Sequence, residues 1–306
     1  MTIRIALVGF GKIARDQHLP AILKNDNFEM AAVVNHGDLP DVPYPAFKTV
    51  GDMLAAMPGQ IDAVAICTPP APRFAIAVEI IAAGIPVLLE KPPTATLGEL
   101  DDLIQLANAQ GCPLFAVWHS QYSAGVERAA EALTNEDVAR ISMVWREDVR
   151  KYHAGQEWIW RAGGFGVFDP GINGLSILTR IIHEPLLVRD ATLNFPGNRQ
   201  APVSAELNFH GEDNKAVMDW SGRGDEEWSV SVETRSGKSV HLKHGGAELI
   251  IDGVAQNLEP HDEYRAIYRE FAKIVSTRRS NVDREPLRIV ADSFLIATRK
   301  MVEDFV

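Results

Sequence analysis

Ile3-Arg4-Ile5-Ala6-Leu7-Val8-Gly9-Phe10-Gly11-Lys12-Ile13-Ala14 is an apolar run that breaks at two glycines just where a helix is due to begin. A strand that is apolar without alternation is one covered on both faces, as in a parallel sheet. Gly9 permits the tight turn, Gly11 lets main-chain N–H groups approach a pyrophosphate at the helix N-terminus, and Ala14 closes a G-x-G-x-x-A pattern that also takes in Lys12 and Ile13. Glycines after a strand also serve as a plain turn. The position of this one on a first strand favours a dinucleotide site.

Working outward, residues 1 to about 120 alternate short β-branched runs with longer helical stretches, the sign of βαβ units around a parallel sheet. Strands are expected at Ile3 to Val8, Phe28 to Val34, Ile61 to Cys67, Ile85 to Leu89 and Leu114 to Trp118. Helices are expected near 12–24, 49–57, 71–83 and 96–110, with Pro20 kinking or splitting the first. From Val138 the texture turns to longer alternating strands, at Ile141 to Trp145, Val188 to Phe195, Val203 to Phe209, Trp228 to Thr234 and Ser239 to Lys243. Two helices, Asp262 to Thr277 and Pro286 to Glu303, close the chain. The fold class is therefore α/β: a doubly wound parallel sheet of the Rossmann type over residues 1–120, then an α/β domain over 121–306 with an open, mostly antiparallel sheet.

Composition narrows the function classes. With 306 residues, 46% apolar and 23% charged, the chain is globular and of two-domain length. Its 41 acidic against 30 basic residues give a net charge of -11, which repels a nucleic acid or an anionic membrane surface. Cys67 and Cys112 sit in strand-like apolar contexts with no metal-ligand spacing, so both read as reduced packing residues and no metal is expected. No apolar segment reaches about 18 residues and no leader pattern stands at the N-terminus, which points to the cytoplasm.

In an open parallel sheet, ligands bind outside the carboxyl ends of the strands. The residues there are polar: Gly9 to Lys12, then Asn35 and His36, Thr68-Pro69-Pro70, Glu90-Lys91-Pro92-Pro93, and His119. Lys91 follows an apolar strand and precedes proline, which restricts it to extended backbone and fixes where its ammonium points, as a catalytic group requires; a solvated lysine at a strand end is the other reading. A cis Lys91-Pro92 bond is an option. Further on, Trp158 to Asn173 is a glycine-rich loop running into an apolar helix. Asp169 and Asn173, four apart, share one helix face and so aim a carboxylate and an amide at one ligand, although Asp169 before Pro170 also fits a helix cap.

Gly9-x-Gly11-x-x-Ala14, Glu90-Lys91-Pro92 and Gly163-Gly164 followed by Asp169-x-Gly171-x-Asn173 together resemble the Gfo/Idh/MocA family of sugar oxidoreductases over nearly the whole chain, and within it the aldose 1-dehydrogenases acting on D-galactose or L-arabinose. Lys12 to Ala21, Trp118-His119-Ser120 and Trp145 to Arg150 support the likeness. The resemblance implies a nucleotide-binding first domain and a second domain that binds substrate and often makes homodimers or larger homo-oligomers. It also implies a lysine near nicotinamide, which falls to Lys91. Where the commoner pattern ends in Asp-x-x-x-His, this chain has Asn173, and an amide takes up no proton. Proton transfer then falls to Asp169, with Lys91 hydrogen-bonding the developing oxyanion or relaying the proton and Asn173 orienting a hydroxyl.

The expected reaction is oxidation of an aldose at its anomeric carbon to the aldonolactone, with His119, Glu147, Tyr152, His153 and Trp228 binding the sugar and the rings of Trp228 and Tyr152 facing its C–H side. Gly9, Gly11, Lys12, Ile13, Asn35, His36, Thr68, Pro69, Glu90 and Lys91 are expected around the cofactor. Asp38 is placed to reach a ribose hydroxyl and no arginine follows the second strand, which favours NAD with NADP tolerated. A silent dinucleotide-binding regulator of a sugar pathway and an inositol or other sugar dehydrogenase are the rival readings.

Overall fold

The computed structural model describes residues 2–306. The elements begin with β1 (Ile3–Val8), a wide π-type turn (Ala14–His18) leading into the short α1 (Leu19–Leu23), β2 (Phe28–Val34), β3 (Ala46–Phe47) and α2 (Val50–Ala56). They continue with β4 (Ala63–Ile66), α3 (Pro70–Ala82), β5 (Val87–Leu89), α4 (Leu97–Ala109) and β6 (Leu114–Ala116). The widening falls just before Pro20, which has no N–H to give, so the expected division of the first helix occurs one turn upstream of the proline. Thr96 and Glu99 form a reciprocal capping box that starts α4.

These strands form one parallel sheet in the order β3-β2-β1-β4-β5-β6. The order reverses between β1 and β4, so the Gly9 turn and the Thr68 turn flank the switch point where such sheets bind ligands. Both faces are covered: Ala6, Val8, Val34, Val64, Ile66, Leu89 and Leu114 share one core with Ile80, Ile81 and Leu103 of α3 and α4, and the alternate Ile5, Leu7, Val33, Ala65 and Leu88 are fully buried on the other face.

The next elements are α5 (Val126–Leu133), β7 (Val138–Arg146), α6 (Val149–Tyr152), α7 (Phe168–Ile181), β8 (Val188–Pro196), β9 (Ser204–Phe209), β10 (Lys215–Asp219), β11 (Glu227–Thr234), β12 (Ser239–Lys243), β13 (Glu248–Ile251) and β14 (Val254–Ala255). Then come α8 (Glu263–Thr277), α9 (Glu285–Ile296) and β15 (Thr298–Val302). The second sheet runs β14-β13-β12-β11-β7-β10-β9-β8-β15, antiparallel except for β7 with β10 and β8 with β15.

The chain forms two compact units, and the partition differs from a single crossing near residue 120. The first unit runs to His119 and takes back Asp262–Arg284; the second holds Ser120–His261 and Glu285–Val306. The reason is α8. Its buried Tyr268 and Phe271 pack on Phe28 and Phe115, with ring centroids 5.4 Å apart for Phe28–Tyr268 and 6.1 Å for Phe115–Phe271, so it is a covering helix of the first sheet. A second correction concerns the last helix, which stops at Ile296 instead of Glu303; residues 298–302 pair in parallel with β8 as a fully exposed edge strand. Lys215–Asp219, Glu248–Ile251 and the short Ala46–Phe47 and Val254–Ala255 are strands beyond those expected.

Helix α7 lies close against the second sheet because two glycines let it. A Cβ on Gly171 would stand 2.2 Å from Met218 Sδ, and one on Gly174 would stand 2.5 Å from Met143 Cε and 2.6 Å from Trp145 Cε3. The preceding glycines are also packing devices: a Cβ on Gly164 would lie 2.1 Å from Trp158 O, and one on Gly166 2.4 Å from Pro202 O.

Candidate active site

The first unit presents its site residues at the carboxyl ends of its strands. Gly9 has a φ of +86°, and a Cβ there would lie 2.8 Å from both Thr68 N and Thr68 Cγ2, so only glycine lets the two turns touch. At Gly11 the same test meets nothing within 4 Å, which leaves an open approach to the main chain. Lys12 and Ile13 are exposed on this rim, Lys12 ion-paired to Asp16. Thr68 Oγ1 is buried and makes no hydrogen bond among the described residues. A clear main-chain approach at a helix start beside an unsatisfied hydroxyl suits a dinucleotide, with Gly9, Gly11 and Thr68 as its cradle.

Asn35 braces that cradle. Its Oδ1 accepts from Phe10 N at 3.2 Å and its Nδ2 donates to Asp38 O at 2.7 Å, while His36 and Asp38 stay exposed, as does Pro69. Glu90 commits both carboxylate oxygens to the protein. Oε1 accepts from Tyr264 OH at 2.6 Å and lies 3.1 Å from His18 Nε2, and Oε2 accepts from Lys91 N at 2.7 Å. His18 in turn reaches Tyr268 OH through Nδ1 at 2.8 Å. Burial opposes an imidazolium here, but Cys67 and Glu90 beside it outweigh burial and raise His18 to about 10. Burial likewise opposes the Glu90 carboxylate, and His18, His119 and the Tyr264 hydroxyl prevail, holding its carboxyl well below the ordinary carboxylate range. Lys91 is half-buried and its bond to Pro92 is cis. His119 is fixed by Glu263, Nδ1 to Oε2 at 2.8 Å, and lies over the Tyr264 ring at 6.0 Å.

The second unit gathers another group. Glu147 follows β7, is 8% exposed, and accepts an indole N–H on each oxygen: Trp220 Nε1 at 3.1 Å and Trp228 Nε1 at 2.9 Å. The His153 ring stands edge-on to Trp220 at 5.1 Å, and its Nε2 lies 3.7 Å from Asp169 Oδ2. Tyr152 meets Trp228 edge-on at 6.0 Å and donates to Glu226 Oε2 at 3.0 Å. Asp169 is 3% exposed and sits inside the first turn of α7, whose N-cap is Val167 with no side-chain cap, so the capping reading of Asp169 is set aside. Asn173, half-buried, follows one turn later on the same face.

Asp169, Glu147, Tyr152, His153 and Trp228 are thus brought together in one unit, while Lys91, His119 and the cofactor-loop residues belong to the other. Sequence reasoning missed His18, Tyr264, Tyr268 and Trp220. The four-residue spacing of Tyr264 and Tyr268 on one helix face was the available signal for two of these; the rest are joined to the site only through space. Among the described residues no helix is long and apolar enough to cross a membrane.

A model for an oxidoreductase family with an NAD-binding Rossmann fold matches residues 3–118. The chain is 42% identical to galactose 1-dehydrogenase of Pseudomonas fluorescens, across 99% of this chain and 98% of that protein. The crystal structure of D-galactose-1-dehydrogenase from Rhizobium etli superposes with a TM-score of 0.94 at 46% identity, over 100% of this chain and 98% of that one. The 3-ketoreductase KijD10 from Actinomadura kijaniata, in complex with NADP and TDP-benzene, superposes with a TM-score of 0.84 over 99% of this chain and 100% of that one, at 16% identity, a likeness of fold alone.

Proposed function

The chain belongs to the Gfo/Idh/MocA family, oxidoreductases with an NAD-binding Rossmann fold, and we propose that it oxidises a cyclic aldose, D-galactose or the similarly shaped L-arabinose, at C1 to the aldonolactone. The observation that carries this reading is the full-length likeness to galactose 1-dehydrogenase of Pseudomonas fluorescens, 42% identical over 99% of this chain. A bound nicotinamide supplies the hydride acceptor. Asp169, buried and beside His153, takes the proton of the C1 hydroxyl as that hydride leaves. Lys91, on the cofactor side, stabilises developing oxyanion charge by donating a hydrogen bond. Glu147, with both oxygens held by indoles, accepts from sugar hydroxyls on its remaining lone pairs, while Trp228 and Tyr152 offer ring faces to C–H groups, and His119 and Asn173 complete the set. Gly9, Gly11 and Thr68 hold the pyrophosphate side. The sequence after β2 carries Asp38 and no arginine, which favours NAD. Cytoplasmic residence and a homo-oligomeric state are part of this reading.

The test is 340 nm absorbance with D-galactose, L-arabinose, D-glucose, D-xylose and myo-inositol, each with NAD and NADP. Turnover on galactose or arabinose should fall by about 100-fold or more in Lys91→Ala and in Asp169→Asn. Tight NADH binding with no reduction on any of the five sugars would overturn the reading in favour of a silent regulator.

A further inference from the structure

Arg73, in the first turns of α3, is 2% exposed. A guanidinium is charged at every working pH, so taking it out of water is costly unless its donors are well met. Its place near the N-terminus of a helix adds to the cost, since the helix dipole disfavours a cation there. The two terminal nitrogens are met by main-chain carbonyls from two separate turns: Nη1 donates to Glu90 O and to Pro92 O, and Nη2 donates to Thr68 O, while the buried Nε donates no hydrogen bond among the described residues. Glu90 and Pro92 are the residues on either side of Lys91. Thr68 follows β4, carries a buried hydroxyl, and sets its main chain and Cγ2 methyl against the Gly9 turn. One rigid fork therefore brackets the peptide units around Lys91 and ties them to the wall of the cofactor cradle.

We propose that Arg73 is a positioning residue that fixes Lys91 relative to the cofactor turn. It works through the carbonyls on either side of Lys91, whereas Glu90 holds Lys91 by its N–H. The planar fork is the property that matters. A lysine at this position offers a single ammonium and no fixed angle between donors, so it satisfies the carbonyls without setting their separation. Misplacement of a catalytic group by about 1 Å costs on the order of 100-fold in rate.

The role of Lys91 in turnover comes from the function proposed above, so the test carries one readout that needs turnover and one that does not. Arg73→Lys and Arg73→Ala are made in the full chain. We expect kcat on the best aldose to fall about 10- to 100-fold in both, with KM for the sugar changed by less than about threefold, and millimolar methylguanidine to restore part of the loss in Arg73→Ala but none in Lys91→Ala. Independently, hydrogen exchange followed by mass spectrometry on the sugar-free protein should speed up about tenfold or more at the Glu90 and Lys91 amides, with the β7–β11 amides unchanged. Wild-type kcat and unchanged exchange in both variants would overturn the proposal, as would exchange that rises uniformly or failure of both variants to fold, since Arg73 would then serve folding alone. If the wild type turns over no aldose, the function fails, and the exchange pattern still decides the role of Arg73.

Discussion

At the scale of single residues, the chemistry of the candidate site is set by what each carboxylate is bound to. Glu147 meets two indole N–H groups from the second sheet, and only one of them, on Trp228, was legible in the sequence. Trp220 stood in no motif; what brings it to Glu147 is a register that places it across from the end of β7, where Glu147 N donates to Asp219 O. Trp220→Phe removes one donor from a buried carboxylate at a cost of about 1–3 kcal/mol, and is expected to raise KM for the sugar about tenfold while leaving the NADH Kd within twofold; steady-state kinetics beside fluorescence titration checks this. The buried His18–Glu90 pair bears on pH. His18 is raised from 6.5 to about 10, so its contribution to stability is complete below about pH 6.5 and is lost as pH rises toward 10, whereas that of Glu90, whose pKa is lowered, is present above its ordinary value of 4.5. His18→Gln is therefore expected to lose about 3 kcal/mol near pH 6 and progressively less by pH 9.5, measured as the gap in Tm from the wild type at the two pH values. Glu90 was legible as a residue of the cofactor side, but its pairing with His18 was not, because 72 residues separate the two.

At the scale of elements, the strands of the parallel sheet announced themselves as unbroken apolar runs, and β1 and β2 stand where the sequence placed them. The edge strand β15 did not: all five residues are exposed, so no burial pattern marks it, and its extended form comes from pairing with β8 alone. The glycines ahead of α7 were read as a loop signature leading into a ligand site, and the physical reason for Gly164 and Gly166, as for Gly171 and Gly174 within the helix, is contact. Gly174 poses a contest of signs. Alanine in mid-helix gains about 1 kcal/mol from propensity, but its methyl would meet the Trp145 ring at 2.6 Å, and overpacking a core costs about 1–3 kcal/mol. Met143 is able to swing aside; the indole, wedged in the sheet, is not. Gly174→Ala is thus expected to lower Tm by a few degrees, and a calorimetric Tm at or above that of the wild type would show that the helix had moved off the sheet without cost.

At the scale of the whole molecule, the sequence announced two domains but not that the first is discontinuous, since Asp262–Arg284 carries an ordinary amphipathic helix whose destination nothing local encodes. A fragment ending at residue 120 lacks α8 and leaves Phe28 and Phe115 uncovered; it is expected to bind a hydrophobic dye and no NADH, and a cooperative melt with NADH binding would refute this. The return of the chain has a further consequence, for biosynthesis. Proteins with sequential domains settle each one as it leaves the ribosome, amino end first. Here the amino-terminal unit waits for its last helix through the translation of residues 120–284, roughly 8–30 s at about 5–20 residues per second, while every strand of the other sheet except β15 has already emerged. The nucleotide-binding half, written first in the gene, is the half that is finished late.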